Sequence, residues 1–450
     1  MGAADGDHFD DDSMADLIWK LLQEADPEAA AAVRDLCGLC ERCDSLLGRF
    51  FFRSPVNRPE PNRKALQHRV QRLVRNWLTD NQQEREVAMR LTRELVSHPP
   101  ARRQLLVRNS ETYRTWAVCG ELCEISRRLA PQSPRDSVEA AELAVQVAEL
   151  IDPVAYGPDI LEDIRATAQA FRGNSLRVLG DLRSADGAFI AARRHLAAGS
   201  GAGVARIQVA ELESSLRAAQ GRTEAALALL DEVLTLCRRY GDSHRQGRNL
   251  IKRAEICRMA GRVVEAVEML EASRDVIDSS LEPRLEFIIE HTLCFCLIEL
   301  GRFDEAARLL PDARRLAASV GKYLDGVKVE WLGAKIDAAR GRAAAAAMSL
   351  REVRDAFLAA GVGFDAALAS LELSVLYLER GMTEQVKKLA REMLPLFDSS
   401  DLHREAMAAL IVFQKAALMD QASVGIALEV QEFLSRARRD RCLSFRGESS

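Results

Sequence analysis

The stretch that decides the reading is Leu300 to Leu310, LGRFDEAARLL. A Gly-Arg pair is followed by two acidic residues, an Ala pair and a Leu pair, and related stretches begin at Gly221 (GRTEAALALL) and Gly261 (GRVVEAVEML). Aligned on the glycine, the series runs Gly221, Gly261, Gly301, Gly341 and Gly381, each 40 residues after the last, with Gly180 lying 41 residues before Gly221. Five residues beyond the glycine stand Ala185, Ala226, Ala266, Ala306, Ala346 and Val386. Nine beyond it stand Phe189, Leu230, Leu270, Leu310, Leu350 and Ala390. Seven before it the residue is always small: Gly173, Ser214, Ala254, Cys294, Ala334 and Ser374.

Each column has a physical reason. Apolar residues on both sides of the glycine recur at helical spacing, as in Leu250, Ile251, Ala254 and Cys257, then Val264, Val267 and Leu270. The glycine ends the first helix, because a residue without a Cβ turns left-handed at no steric cost. Asp304 and Glu305, like Glu224 and Glu265, fall in the first turn of the next helix and suit its positive end. The small column lies where two helices cross closely. A second set of breakers, Gly241-Asp242, Gly321, Gly361 and Ser399-Ser400-Asp401, recurs half a period away. Each 40-residue unit therefore reads as a helical hairpin, and successive hairpins stack.

Composition agrees. Hydrophobic residues make up 48% of the chain, charged residues 29% and aromatics 5%, a mix that favours helix and leaves few strand-forming runs. At 450 residues the chain exceeds what one globular core usually serves, which fits a repeat array. The net charge of −5 is mild and does not point to nucleic acid or a membrane surface. No run approaches the roughly 20 apolar residues needed to span a bilayer. The N-terminus, MGAADGDHFDDDSMAD, has no secretory character. The ten cysteines sit mostly within apolar helical patterns and read as buried, reduced thiols of a cytoplasmic protein.

These columns resemble the tetratricopeptide repeat family: a small residue in the first helix, a glycine turn, then Ala and an aliphatic residue in the second. The units here are 40 residues rather than the usual 34 and lack the usual Trp and Tyr in most copies. The longer form is similar to the helical arrays of bacterial signalling regulators. The resemblance spans roughly residues 112–438. It implies an all-α protein, a right-handed α-solenoid of about seven to eight stacked antiparallel hairpins forming a superhelix with an N-terminal helical cap.

The expected organisation is a disordered acidic stretch at 1–13, an N-terminal helical segment at 14–111 with a Pro-rich linker near 53–62, the array at 112–438 and a tail at 439–450. Residues 112–130 and 137–151, separated by Pro131-Gln132-Ser133-Pro134, read as a degenerate hairpin. The helix at 64–78 carries Leu66, Val70, Leu73, Val74, Trp77 and Leu78 on one face. The last helix contains Val430, Phe433 and Leu434. Residues 51–110 hold 13 Lys plus Arg against 5 Asp plus Glu, a solvated basic face without helix-turn-helix spacing or interleaved aromatics.

Few motifs suggest chemistry. Cys37-x-x-Cys40-x-x-Cys43 has iron–sulfur spacing, but position 47 is Leu and the segment carries an apolar helical stripe, so core packing explains it better than metal. Cys294 occupies the small column, and Cys119 and Cys123 share an apolar face. Gly199-Ser200-Gly201-Ala202-Gly203 lacks the Lys-Ser/Thr of a phosphate loop, and DGDHFDDD lacks the Gly and Glu of a calcium loop. No cofactor, metal or enzymatic activity is expected. What remains is the concave side of the array, lined by the first helix of each hairpin, a surface suited to a peptide or protein partner. Registering each first helix on its glycine directs Glu211, Lys252, Glu255, His291, Thr292, Lys335 and Glu372 toward it. The expected function is a non-catalytic protein-interaction scaffold. The alternative is a regulator that senses a ligand or peptide through the curvature of the array.

Overall fold

A computed structural model describes residues 83–393, 395, 396 and 404–437. The expectations for the first 82 residues, including the cysteine triplet, the Pro-rich linker and the helix at 64–78, lie outside these, as do the breaker at 399–401 and the C-terminal tail. Among the described residues the chain is entirely helical, with no strand. It divides into two compact units at Leu236/Cys237.

The first unit begins with a helix at 83–97 (α1), followed by α2 (Pro100–Asn109), a single 3-10 turn (Glu111–Tyr113), α3 (Trp116–Leu129), α4 (Pro134–Leu150), the short α5 (Pro153–Tyr156), α6 (Pro158–Leu179), α7 (Leu182–Ala198) and α8 (Gly203–Ala219). The degenerate hairpin is α3 with α4; α6 pairs with α7 and also packs on α3, α4 and α8. Where α3, α4 and α6 meet, the small residues carry hydroxyls. Ser126 Oγ and Ser175 Oγ lie 2.7 Å apart, and Ser137 Oγ, with one proton to give, lies 2.8 Å from both Ser175 Oγ and the Ser126 carbonyl oxygen. All three are buried, and each hydroxyl is satisfied by another, so the close crossing costs no unpaired polar group.

Helix α9 (Thr223–Arg239) carries the division between the units. The second unit continues with α10 (Ser243–Met259), α11 (Val263–Arg274), α12 (Arg284–Glu299), α13 (Phe303–Val320), α14 (Tyr323–Ala339), α15 (Ala343–Ala359), α16 (Gly363–Leu378), α17 (Thr383–Glu392), α18 (Arg404–Leu418) and α19 (Val424–Ala437). Hairpins α10–α11, α12–α13, α14–α15 and α16–α17 follow one another. Each first helix packs on its own second helix, α12, α14 and α16 also pack on the second helix of the hairpin before them, and α19 closes against α16 and α18. Val430 and Leu434 are buried there. This is the stacked-hairpin architecture of a tetratricopeptide-type α-solenoid.

The glycine of LGRFDEAARLL takes φ +71°. Its N–H bonds the Ile298 carbonyl at 3.0 Å, and the Arg302 N–H bonds the Leu297 carbonyl at 2.8 Å. These are the two bonds of a Schellman cap, which satisfies carbonyls the ending helix leaves open. The same two bonds recur after Gly221, Gly261, Gly341 and Gly381. Arg302 then starts α13: its side chain pairs with Glu305 at 2.7 Å, and its carbonyl accepts from Ala306. Gly321 works differently. Its φ is −80°, and the requirement is space, because a Cβ there would sit 2.4 Å from the Ala317 carbonyl oxygen.

The three columns are core. The Ala/Val column is no more than 1% exposed in any copy, and the small residues from Ser214 to Ser374 are equally enclosed. The thiols of Cys119, Cys123, Cys237, Cys257, Cys294 and Cys296 are free and buried, as expected. No helix among the described residues is long and apolar enough to cross a membrane.

Candidate functional site

Six of the seven residues assigned from register stand on first helices of the second unit, and Glu211 stands on α8 of the first. On α10, Lys252 and Glu255 are half-buried. Glu255 accepts from Arg258 at 2.7 and 2.9 Å, and the Arg258 guanidinium lies 4.9 Å from the ring centre of Phe295 on α12. Arg258 is thus held between an acid on its own helix and an aromatic ring on the next.

His291, on α12, lies between α10 and α14. Its Nε2 is buried and has no hydrogen-bond partner, and the Phe287 ring is tilted against it at 5.7 Å. Burial pushes the imidazole down to about 4, helped by the positive charge of Lys328 on α14. Asp325 and Glu255 oppose this, but less strongly. Asp325 is itself committed: it caps α14 by accepting from the Lys322 N–H at 2.7 Å and binds Arg284 of α12 at 2.7 Å. Thr292 is half-buried beside His291.

Lys335 and Glu372 meet each other. Lys335 Nζ donates to Glu372 Oε1 at 2.5 Å, Trp331 Nε1 donates to Glu372 Oε2 at 2.7 Å, and Gln431 of α19 reaches Glu372 at 3.4 Å. The ammonium also sits 5.0 Å from the Trp331 ring centre, and Trp331 packs edge-on against Phe357. This cluster ties α14, α16 and α19 together. Register alone missed Trp331 and Gln431. Trp331 is an aromatic four residues before Lys335, one helical turn away, which is the signal that was available.

In the first unit, Glu211 stands two residues before Glu213, the buried centre of an ion network. Glu213 is held by Arg217 at 2.5 Å and by Arg193, and Arg217 also binds Asp186 at 2.5 Å. On α6, Glu162 receives His195 Nδ1 at 2.6 Å and Arg165 at 2.5 Å. Despite burial, those two bonds hold its carboxyl below the usual range. Next to it, Asp163 is fully buried. Its Oδ2 accepts from the Ser200 hydroxyl and N–H, while Oδ1 has no partner. Burial pushes Asp163 up to about 6 against the pull of Ser200. Gly199 is required here, since a Cβ would lie 2.1 Å from Oδ1. The glycine-rich turn therefore closes over a carboxyl of its own chain.

The buried thiols are poorly suited to nucleophilic chemistry. Burial pushes Cys294 and Cys296 each up to about 12, so both stay protonated near neutral pH. No group of His, Cys, Asp and Glu side chains among the described residues is placed to hold a metal ion.

Residues 208–279 match the family model of the tetratricopeptide repeat, so the likeness read from the 40-residue columns is shown. No curated protein sequence matches the chain. Among solved structures, a Rap protein complexed with competence and sporulation factor is similar with a TM-score of 0.52 at 10% identity, over 72% of this chain and 88% of that one. Aspartyl phosphate phosphatase F from Bacillus subtilis aligns over 89% of this chain and 97% of its own at 12% identity, with a TM-score of 0.47. At these identities the likeness is one of fold, that of a helical-repeat solenoid.

Proposed function

We propose that this protein is a non-catalytic scaffold that binds a peptide or protein partner along the face formed by the first helices of its hairpins. The supporting observation is the row these helices present in the second unit. Arg258 stacks on Phe295 across α10 and α12, and Lys335 and Glu372 meet Trp331 across α14 and α16, with Lys252, Glu255, His291 and Thr292 on the same row of first helices. Rings beside matched charges give a partner both apolar area and directional contacts, the mix found at interaction hot spots. Lys335 and Glu372, paired with each other, shape the surface beside them. Lys252, His291 and Thr292 are the proposed contacts.

The test compares proteins captured from the source cytosol by wild type, Lys252→Glu and Thr292→Arg, all checked for equal melting temperature. A partner held by wild type and lost from both variants supports the reading. The same partner held equally by all three removes the assigned face.

A second reading is a regulator whose hairpins shift when a ligand or peptide binds. The observation favouring it is the solved Rap protein of similar fold, which holds competence and sporulation factor. A ligand that raises the melting temperature with no protein partner present would favour it.

A further inference from the structure

A cavity of about 150 Å³ opens in the first unit between α4, α6 and α7, lined by Val145, Ala148, Glu149, Arg165, Gln169 and His195. It is roughly ten times what one ordered water needs, about 15 Å³. Its floor is apolar and its polar groups are unevenly matched. Arg165 is spoken for: one arm binds Glu162 at 2.5 Å, and Nε reaches the Ala148 carbonyl at 3.4 Å. The carboxylate of Glu162 also holds His195 Nδ1 at 2.6 Å. An ionised carboxylate only accepts, so Nδ1 carries a proton, and when that is the ring's one proton Nε2 is an acceptor.

Three acceptors are then open to a donor. Gln169 Oε1 is buried without a partner, the bond to Glu162 engages His195 only through Nδ1, and Glu149 on the cavity wall is exposed. A buried amide oxygen without a donor is rare in native proteins and calls for an occupant. Glu162 offsets the charge of Arg165, so Glu149 leaves the cavity negative.

We propose that this cavity takes a primary ammonium group on a short aliphatic stem. An ammonium has three donors and no acceptor, which matches Gln169 Oε1, His195 Nε2 and the Glu149 carboxylate, while the stem lies on Val145 and Ala148. The group is either the lysine side chain of a polypeptide or a small free amine.

The test titrates the full chain with n-butylamine, with Nα-acetyl-lysine N-methylamide and with acetate, reading the Gln169 side-chain amide and the His195 ring by NMR. The expected result is that the amines move both signals and acetate moves neither. Glu149→Gln should weaken amine binding about tenfold or more, the scale of a lost charge-assisted bond. Gln169→Leu, which replaces an unmatched amide with an apolar side chain of similar size and keeps the fold, should abolish it. Tighter binding of the lysine amide than of butylamine identifies a polypeptide source, and the reverse a free amine; either supports the ammonium site. Silence from both amines, a response to acetate instead, or amine binding unchanged in both variants overturns it.

Discussion

The ring of Phe189 lies against the backbone of Gly173, so close that a Cβ on residue 173 would come within 2.7 Å of Phe189 Cε2. The two residues are the first copies of two repeat columns, the small one and the large one. Where the small column holds Ser214 or Ala254, the large one holds Leu230 or Leu270 instead. In the first copy a smaller residue is matched by a larger one, so the pair is coupled by volume.

Gly173→Ala should therefore destabilise the protein by about 1–3 kcal/mol through overpacking. Phe189→Leu alone should cost about 1 kcal/mol or more through the space it leaves. The double variant, which recreates the Ala/Leu pairing of the later copies, should cost less than the sum by at least about 0.5 kcal/mol. Urea denaturation of all four proteins measures the cycle; strict additivity would mean the ring does not feel the missing Cβ.

Asp163 sets a pH dependence in the first unit. Burial lifts its carboxyl from 3.8 to about 6. A folded-state value above the unfolded one means the native state takes up the proton more readily. The cost of the charged form is therefore complete above about pH 6 and is relieved as the pH falls towards 4, by an amount on the order of 3 kcal/mol. Asp163→Asn should be most stable relative to wild type at pH 7–8 and lose that advantage by pH 4. Hydrogen exchange of α6 amides as a function of pH reads this locally.

His291 acts with the opposite sign in the second unit. Burial and Lys328 lower it from 6.5 to about 4. Its contribution is present above pH 6.5 and is lost as the pH falls to 4, again on the order of 3 kcal/mol. Hydrogen exchange around α12 should therefore quicken between pH 6 and 4, while the Asp163 effect in the first unit runs the other way. Lys328→Met should raise the His291 titration midpoint, followed by the imidazole signals in NMR; an unmoved midpoint would falsify the electrostatic part of the argument.

Glu213 and Arg217 test a buried pair. Their side chains are 4% and 9% exposed, and Arg217 also serves Asp186. Glu213→Ala leaves Arg217 short of its main partner and Arg193 with none in this network, and should cost about 3–5 kcal/mol. Replacing Glu213 and Arg217 together with Met should cost far less, because no charge is left buried alone. Thermal melts of both variants distinguish an uncompensated charge from lost packing.

The repeat was legible in the chain because its determinants are local. A glycine that must turn left-handed, an acid in the following first turn and an Ala that fits only a close crossing each leave a residue-type mark at fixed spacing. Gly301, Glu305 and Ala306 therefore announced a hairpin, and the first helices that carry Lys252, His291 and Lys335 could be named from register. Which of those side chains are already engaged was not legible. Glu372 meets Lys335 from 37 residues away and Gln431 from 59, and Asp163 is sealed by Gly199 and Ser200 across a hairpin. Such contacts depend on how far one helix slides and turns against another, a sum of many small packing terms with no periodic signature. The sequence by itself determined the period, the turns and the core columns. Only the tertiary structure decided that His291 and Gln169 are left with an atom unmatched, and that a cavity lies between α4, α6 and α7.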